Sequence, residues 1–214
     1  MKNIKSPYFL FLLGLILFSC SKTSEYKRDG LIIYQESQLS WVRNFNPLSP
    51  AGSARWPTSS GIYEPLFIYN SIKAEYVPWL ATEYEWNNNN TVLKMLIRDG
   101  IRWSDGERFG AKDVAFTFNL KKKYPALDTR DSWSYLSEVN ADTDSTVNFK
   151  FKRIYVPGFN AIATQSIVAK HIWEGIEDPV KFSNPSPVGT GPFTEVLRFE
   201  SQIWELGKNP NYWQ

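Results

Sequence analysis

The 214-residue sequence holds one cysteine and one histidine, and these shortages exclude much of the chemistry a chain of this size could carry. With Cys20 alone, no internal disulfide can form. His171 has no second histidine and no thiol partner other than Cys20, so a zinc site of Cys and His ligands is not expected, and a cysteine triad has no nucleophile but Cys20. An excess of charge is missing as well. The 24 basic and 22 acidic residues become equal in number once Lys2 and Lys5 are removed with the N-terminal segment, and a formally neutral chain offers nucleic acid little. No apolar run reaches the roughly 20 residues that span a bilayer; the run from Tyr8 to Phe18 covers about half of that.

That run follows Lys2 and Lys5 and closes in "LFSC", the pattern of a secretory signal. Its end resembles a bacterial lipobox. Residues 1–19 are therefore expected to be a lipoprotein signal peptide, with Cys20 lipid-modified and holding the protein at a membrane, facing the periplasm or the cell surface. An ordinary signal peptide with a stray thiol is the alternative. Residues 20–30 are polar, as suits a tether, and residues 31–214 are expected to form the folded body.

Aromatic residues are plentiful, at 16% with nine tryptophans and eleven tyrosines. Most belong in a core, but in a neutral exported chain some suit flat faces for a ring-shaped ligand. "LIIYQES" predicts a first strand, and "WVRNFNPLSPAGSARWPTSSG" a long loop of the kind that carries function. "GIYEPLFIYN" reads either as a short helix broken by Pro65 or as a turn into a strand, and its first half is expected to be helical. Thr91 to Arg98 predicts a strand, with Asp99-Gly100 as a two-residue hairpin returning the chain through Ile101 and Trp103. "GAKDVAFTFNLKKKY" predicts a helix buried on more than one side, with Val114 and Phe118 on one stripe, Phe116 and Leu120 on the next, and Pro125 as its stop. "EVNADTDSTVNFKFK" predicts a hairpin, "GFNAIATQSIVAKHIWEG" one helix or two short ones, and the tail returns to strands.

The stretch "IRWSDGERFGAKDVAFTF" gathers enough acids to raise the question of catalysis. Paired carboxylates for acid/base work would have to share a cleft with separated pKa values. Turn and cap roles explain the same residues more simply: Asp105-Gly106 supplies a turn, and Asp113 sits in the first turn of the helix where its charge suits the dipole. "DTDST" begins like a calcium loop, but Val147 stands where the loop's glycine belongs and Arg153 where its bidentate glutamate belongs. "VGTGPF" lacks the lysine and hydroxyl of a phosphate loop, so Gly189 and Gly191 are expected to mark a tight bend. No cofactor or metal is expected.

The strings "YEPLF", "PWLATEYEW", "LIRDGIRWSDGERFGAKDVAFTF", "AKHIW", "PVGTGPF" and "NPNYW" together resemble the N-terminal half of the solute-binding protein family 5. These are the receptors for oligopeptides, dipeptides, nickel and oligosaccharides in bacterial ABC importers. One departure is Gly110, where the family usually has a threonine. The resemblance implies an α/β fold of the periplasmic-binding-protein type II kind, with a mixed sheet in each lobe and the ligand enclosed between lobes. It implies no catalysis, and ABC permease subunits as partners. Family members usually continue well past "NPNYW" to build the second lobe, so residues 31–214 are expected to supply most of the first lobe only. The long loop and "KKYPALDTRDSWSYLSEV" are closer to the cello-oligosaccharide-binding members, and indole platforms beside Asn and Arg donors suit a sugar. The candidate ligand-binding residues are Trp41, Asn44, Asn46, Arg55, Trp56 and Trp133. The alternatives are an oligopeptide receptor of the same family, a surface glycan-binding lipoprotein without a transporter, or an exported glycosidase, for which no paired-carboxylate site stands out.

Overall fold

Along "VLKMLI", Leu93, Met95 and Ile97 are buried while Lys94 and Leu96 are exposed, and this alternation makes strand β5 (Val92–Ile97) the middle of the largest sheet. The computed structural model of the chain describes residues 30–34, 43–49, 61–200 and 203–214. Strands β4 (Ala81–Trp86), β5, β7 (Thr146–Phe151) and β6 (Leu136–Ala141) lie in the order β4-β5-β7-β6, each pair antiparallel. The β6–β7 hairpin forms as its alternation predicts, pairing Val139 with Phe149, and the calcium-like "DTDST" is its turn.

Helix α1 (Ala111–Lys123) covers the buried face of this sheet. Its two apolar stripes serve two clusters. Val114 and Phe118 pack with Leu93, Val147 and Phe149, whereas Leu120 joins Leu48, Leu127, Val168 and Trp173. The helix starts where the hairpin meets it: the Ala111 amide donates to Asp144 O at 2.8 Å, and Asp113 accepts from the Gly110 amide at 3.0 Å, half of a capping box. Asp113 also accepts from the Lys170 amide at 2.9 Å. Burial raises its carboxyl above the usual range, against the pull of those two amides. A Cβ at Gly110 would lie 2.8 Å from Asp144 O, so the threonine usual in the family would require the hairpin to move. After Tyr124 the chain continues as a 3-10 turn, Pro125–Leu127.

The remaining elements are β1 (Gly30–Tyr34), β2 (Phe67–Asn70), β3 (Glu75–Pro78), α2 (Ser132–Tyr135), α3 (Pro157–Ala163), α4 (Lys170–Trp173), β8 (Phe193–Phe199) and β9 (Ile203–Lys208). The segment read as one helix or two is two, α3 and α4. Strands β2 and β3 pair, and β1-β9-β8 form a third sheet, again antiparallel.

Three expectations need correction. "GIYEPLFIYN" does not begin as a helix; Gly61–Ile62 is a turn and the chain runs extended through Pro65 into β2, as an X-Pro step favours. The Asp99-Gly100 turn does not return the chain along β5, whose neighbours are β4 and β7; Arg102 instead bridges Arg108 in a small loop closed by Asp105-Gly106. Among the described residues the sheets are antiparallel throughout, where a mixed sheet was expected, because neighbouring strands are joined by hairpins or receive strands from distant sequence rather than through crossover helices.

The family-like strings meet at one junction. Gly189 and Gly191 pass so close to the Gly61–Ile62 backbone that a Cβ would lie 2.1 Å from Ile62 O or 2.3 Å from Gly61 O; only glycine permits this approach. The contact is fastened by Gly191 N–H to Ile62 O at 2.9 Å and Phe193 N–H to Gly61 O at 3.0 Å. Asn209 donates to Gly191 O and Asn211 to Ser104 O, tying "NPNYW" to both. At the centre is Glu64, 6% exposed. It accepts from Trp79 Nε1 at 2.8 Å, Tyr212 Oη at 3.2 Å and Trp213 Nε1 at 3.0 Å. Arg98 stacks over Trp213 at 4.9 Å and donates from Nε to Trp79 O. Partial burial and the Glu64 charge push the Tyr212 hydroxyl up to about 12.

Candidate ligand-binding site

Lys121 begins a run of three lysines, and a helix that ends in lysines normally leaves them in water. It also stands three residues after Phe118 and seven after Val114, on the buried stripe. The stripe wins: its side chain is 1% exposed. Its ammonium donates to Gln165 Oε1 at 2.8 Å and Ser132 Oγ at 3.0 Å, and lies 3.1 Å from Asp128 Oδ1 as an ion pair. Burial lowers the Lys121 ammonium and Asp128 pulls it back up. For Asp128, burial acts to raise the carboxyl, but the Lys121 charge and the Trp133 and Ser132 amides outweigh it and hold it below the usual range. The depressed Asp128 value and the close geometry mark an ion pair.

This pair sets the loop that carries Trp133. Asp128 Oδ2 accepts from the Trp133 amide at 3.0 Å, and the indole Nε1 donates to Phe118 O at 2.8 Å. Lys122 lies over the ring at 4.3 Å, and Lys152 Nζ donates to Trp133 O at 2.6 Å. Held at its amide, carbonyl and indole nitrogen, the half-buried ring is stiff. Next to it Arg130 is exposed, donating to Thr164 Oγ1 at 2.6 Å and Ala161 O at 3.1 Å.

Of the other candidates, Cys20, Trp41, Arg55 and Trp56 lie outside the described residues. Asn44 and Asn46 belong to the segment 43–49, whose Leu48 packs against Leu120 and Leu127, so the segment stands at the same end of α1 as Trp133. Asn46 is fully buried and fully engaged: Nδ2 donates to Pro179 O and Phe182 O, and Oδ1 accepts from the Leu48 and Ser49 amides. It has no capacity left for a ligand and acts as the organiser of its loop. Asn44 accepts from the Asn46 amide at 2.9 Å and is half-exposed.

Lys121, Asp128, Ser132, Gln165 and Arg130 are the residues that sequence reasoning missed here. Only Lys121 had a signal, its helical phase. In the "IRWSDG" stretch Asp105 closes the turn by accepting from the Glu107 amide at 3.2 Å and meets His171 Nε2 at 2.7 Å, so the lone histidine is bound to that turn.

The model of the bacterial extracellular solute-binding proteins, family 5 Middle, matches residues 75–214. The chain belongs to this family. Protein XP55 of Streptomyces lividans is 35% identical over 201 residues, 91% of this chain and 36% of its own length. A mannohexaose-bound periplasmic oligopeptide-binding protein of Thermotoga maritima is 32% identical with a TM-score of 0.72, covering 82% of this chain and 32% of that one. The oligopeptide-binding protein AppA of Bacillus subtilis, in complex with a nonapeptide, has a TM-score of 0.70 at 24% identity, covering 81% and 36%, and supports the fold. The chain spans about a third of the length of the curated relatives it matches. The type II periplasmic-binding-protein fold and the family 5 resemblance both stand.

Proposed function

We propose that this chain is the N-terminal part of the substrate-binding component of an ABC importer, capturing a neutral, β-linked oligosaccharide outside the cytoplasmic membrane, tethered there through Cys20. The Trp133 platform carries this reading. A ring immobilised at three points, with a cation on one face, offers a stiff flat surface at little entropic cost to a ligand that lays an apolar face on it. Family membership supports the importer role, and the mannohexaose in the Thermotoga relative supports a sugar as cargo. Trp41, Arg55 and Trp56 are proposed to complete the aromatic wall, and Asn44 to donate to hydroxyls. ABC permease subunits are the proposed partners, and the proposed role is capture rather than catalysis.

The second reading is an oligopeptide receptor. Arg130 favours it: this exposed guanidinium meets two carbonyls and a hydroxyl but no carboxylate among the described residues, and a peptide C-terminus would suit it. The test is calorimetry on the chain completed with the C-terminal region of the Thermotoga relative. Cellotetraose should bind, and Trp133→Ala should weaken it by about 1–3 kcal/mol. Tight binding of tetra-alanine that Trp133→Ala spares and Arg130→Ala abolishes would establish the peptide reading instead.

A further inference from the structure

A second aromatic surface lies at the β4 edge of the four-stranded sheet, where Tyr84 and Trp86 pair with Met95 and Leu93 on the face that α1 also covers. It is a groove of about 520 Å³ lined chiefly by Tyr76, Tyr84, Trp86, Tyr155, Phe159 and Asn160, within the range of roughly 300–1,000 Å³ common for small-molecule sites. The rings brace one another: Tyr84 and Tyr76 meet Phe159 at 4.4 and 4.8 Å, and Trp86 meets Phe151 at 5.0 Å. Trp86 is only half-buried and faces this groove.

Two further features narrow what the groove can take. No charged side chain is among its lining residues, the Arg153 guanidinium lying 6.0 Å from the Tyr155 ring, so the lining itself would not compensate a charged ligand for lost water. Its hydrogen-bonding groups are also left open. Tyr76 Oη donates to Asn160 Oδ1 at 2.7 Å, which fixes the amide so that Nδ2 points away from that bond with both protons to give. Among the described residues, Asn160 Nδ2, Trp86 Nε1 and the hydroxyls of Tyr84 and Tyr155 have no protein partner. A purely apolar partner would strand these groups, whereas a ring with an apolar face and a hydroxyl rim would use both the platforms and the rim.

We infer that this groove is a saccharide-binding site, separate from the Trp133 platform, that takes a neutral sugar. It stands on its own lining and does not require the cleft assignment. The experiment is ¹⁵N–¹H NMR of the full 214-residue chain titrated with cellotetraose, and in a parallel sample with tetra-alanine. Saturable shifts of the Trp86 indole and Asn160 amide signals are expected with cellotetraose alone. Asn160→Asp keeps the acceptor for Tyr76 while removing the donors, and should weaken binding about tenfold; Tyr84→Ala, at an exposed ring, should do the same. Trp133→Ala should leave these shifts in place, which separates this site from the cleft. Absence of the shifts, equal shifts with tetra-alanine, or shifts that survive both groove variants would overturn the inference.

Discussion

Glu64 and Lys121 are both buried ionisable groups with three side-chain partners each, and they are solved in opposite ways. Glu64 is neutralised by no cation within salt-bridge distance among the described residues; it is solvated by two indoles and a phenol. Lys121 sits 3.1 Å from Asp128, and its other partners are uncharged. The partners of Glu64 come from strings that carry the family resemblance, and they fasten the junction between the sheets. The partners of Lys121 come from stretches outside those strings, and they set the loop under Trp133. The comparison separates a scaffold centre from the centre of the proposed site.

The largest effect is expected at the site centre. Lys121→Met leaves Asp128 buried without its counter-ion and should cost about 3–5 kcal/mol in denaturant unfolding, while the double variant Lys121→Met/Asp128→Leu should recover most of it. The pH dependence sharpens the point. A carboxyl depressed in the folded state contributes stability that is present above the unfolded carboxylate pKa and is lost as pH falls through the folded one. The melting-temperature gap between the parent and Asp128→Asn should therefore persist through the ordinary carboxylate range and close only below it.

At the scaffold centre, Gly189→Ala drives a Cβ against a backbone carbonyl and should destabilise by about 3 kcal/mol, read as a lowered unfolding midpoint. Glu64→Gln keeps one acceptor and turns the other into a donor facing an N–H or O–H. A loss of about 2 kcal/mol is expected, together with a fall of the Tyr212 pKa from about 12 toward its ordinary value in ultraviolet titration. An unchanged Tyr212 would break the picture of a charged Glu64. The smallest effect belongs to Asp105→Asn. The substitution retains the turn acceptor and loses only the charge beside His171, so a change of about 0.5 kcal/mol is expected in the same unfolding assay.

Local signals made much of the fold legible. Strand-forming residues found β5, alternation found the β6–β7 hairpin, and the stripes of Val114–Phe118 and Phe116–Leu120 found α1, whereas Gly189 and Gly191 suggested a tight bend and not the close backbone approach they make. Long-range chemistry was not legible. The three donors to Glu64 stand 15, 148 and 149 residues away, and nothing in "YEPLF" distinguishes a buried acid from an exposed one. "GIYEPLFIYN" was misjudged because its apolar spacing fits a helix until Pro65 and the glycine contact at Gly61 are weighed. Asn46 resembled a ligand donor because an asparagine in a Pro- and Ser-rich loop is equally suited to fixing that loop. Lys121 was hidden by the lysine run, although its phase on the helix held the answer.

The separation of scaffold from site is tested most directly by measuring oligosaccharide affinity in the completed protein for two variants, Glu64→Gln and Lys121→Met/Asp128→Leu, under conditions where both are folded. The account predicts that Glu64→Gln, though less stable, binds cellotetraose like the parent, while the Lys121/Asp128 double variant, though near parental stability, binds about tenfold more weakly because Trp133 has lost its support. Undiminished binding by the double variant, with binding lost in Glu64→Gln, would contradict it.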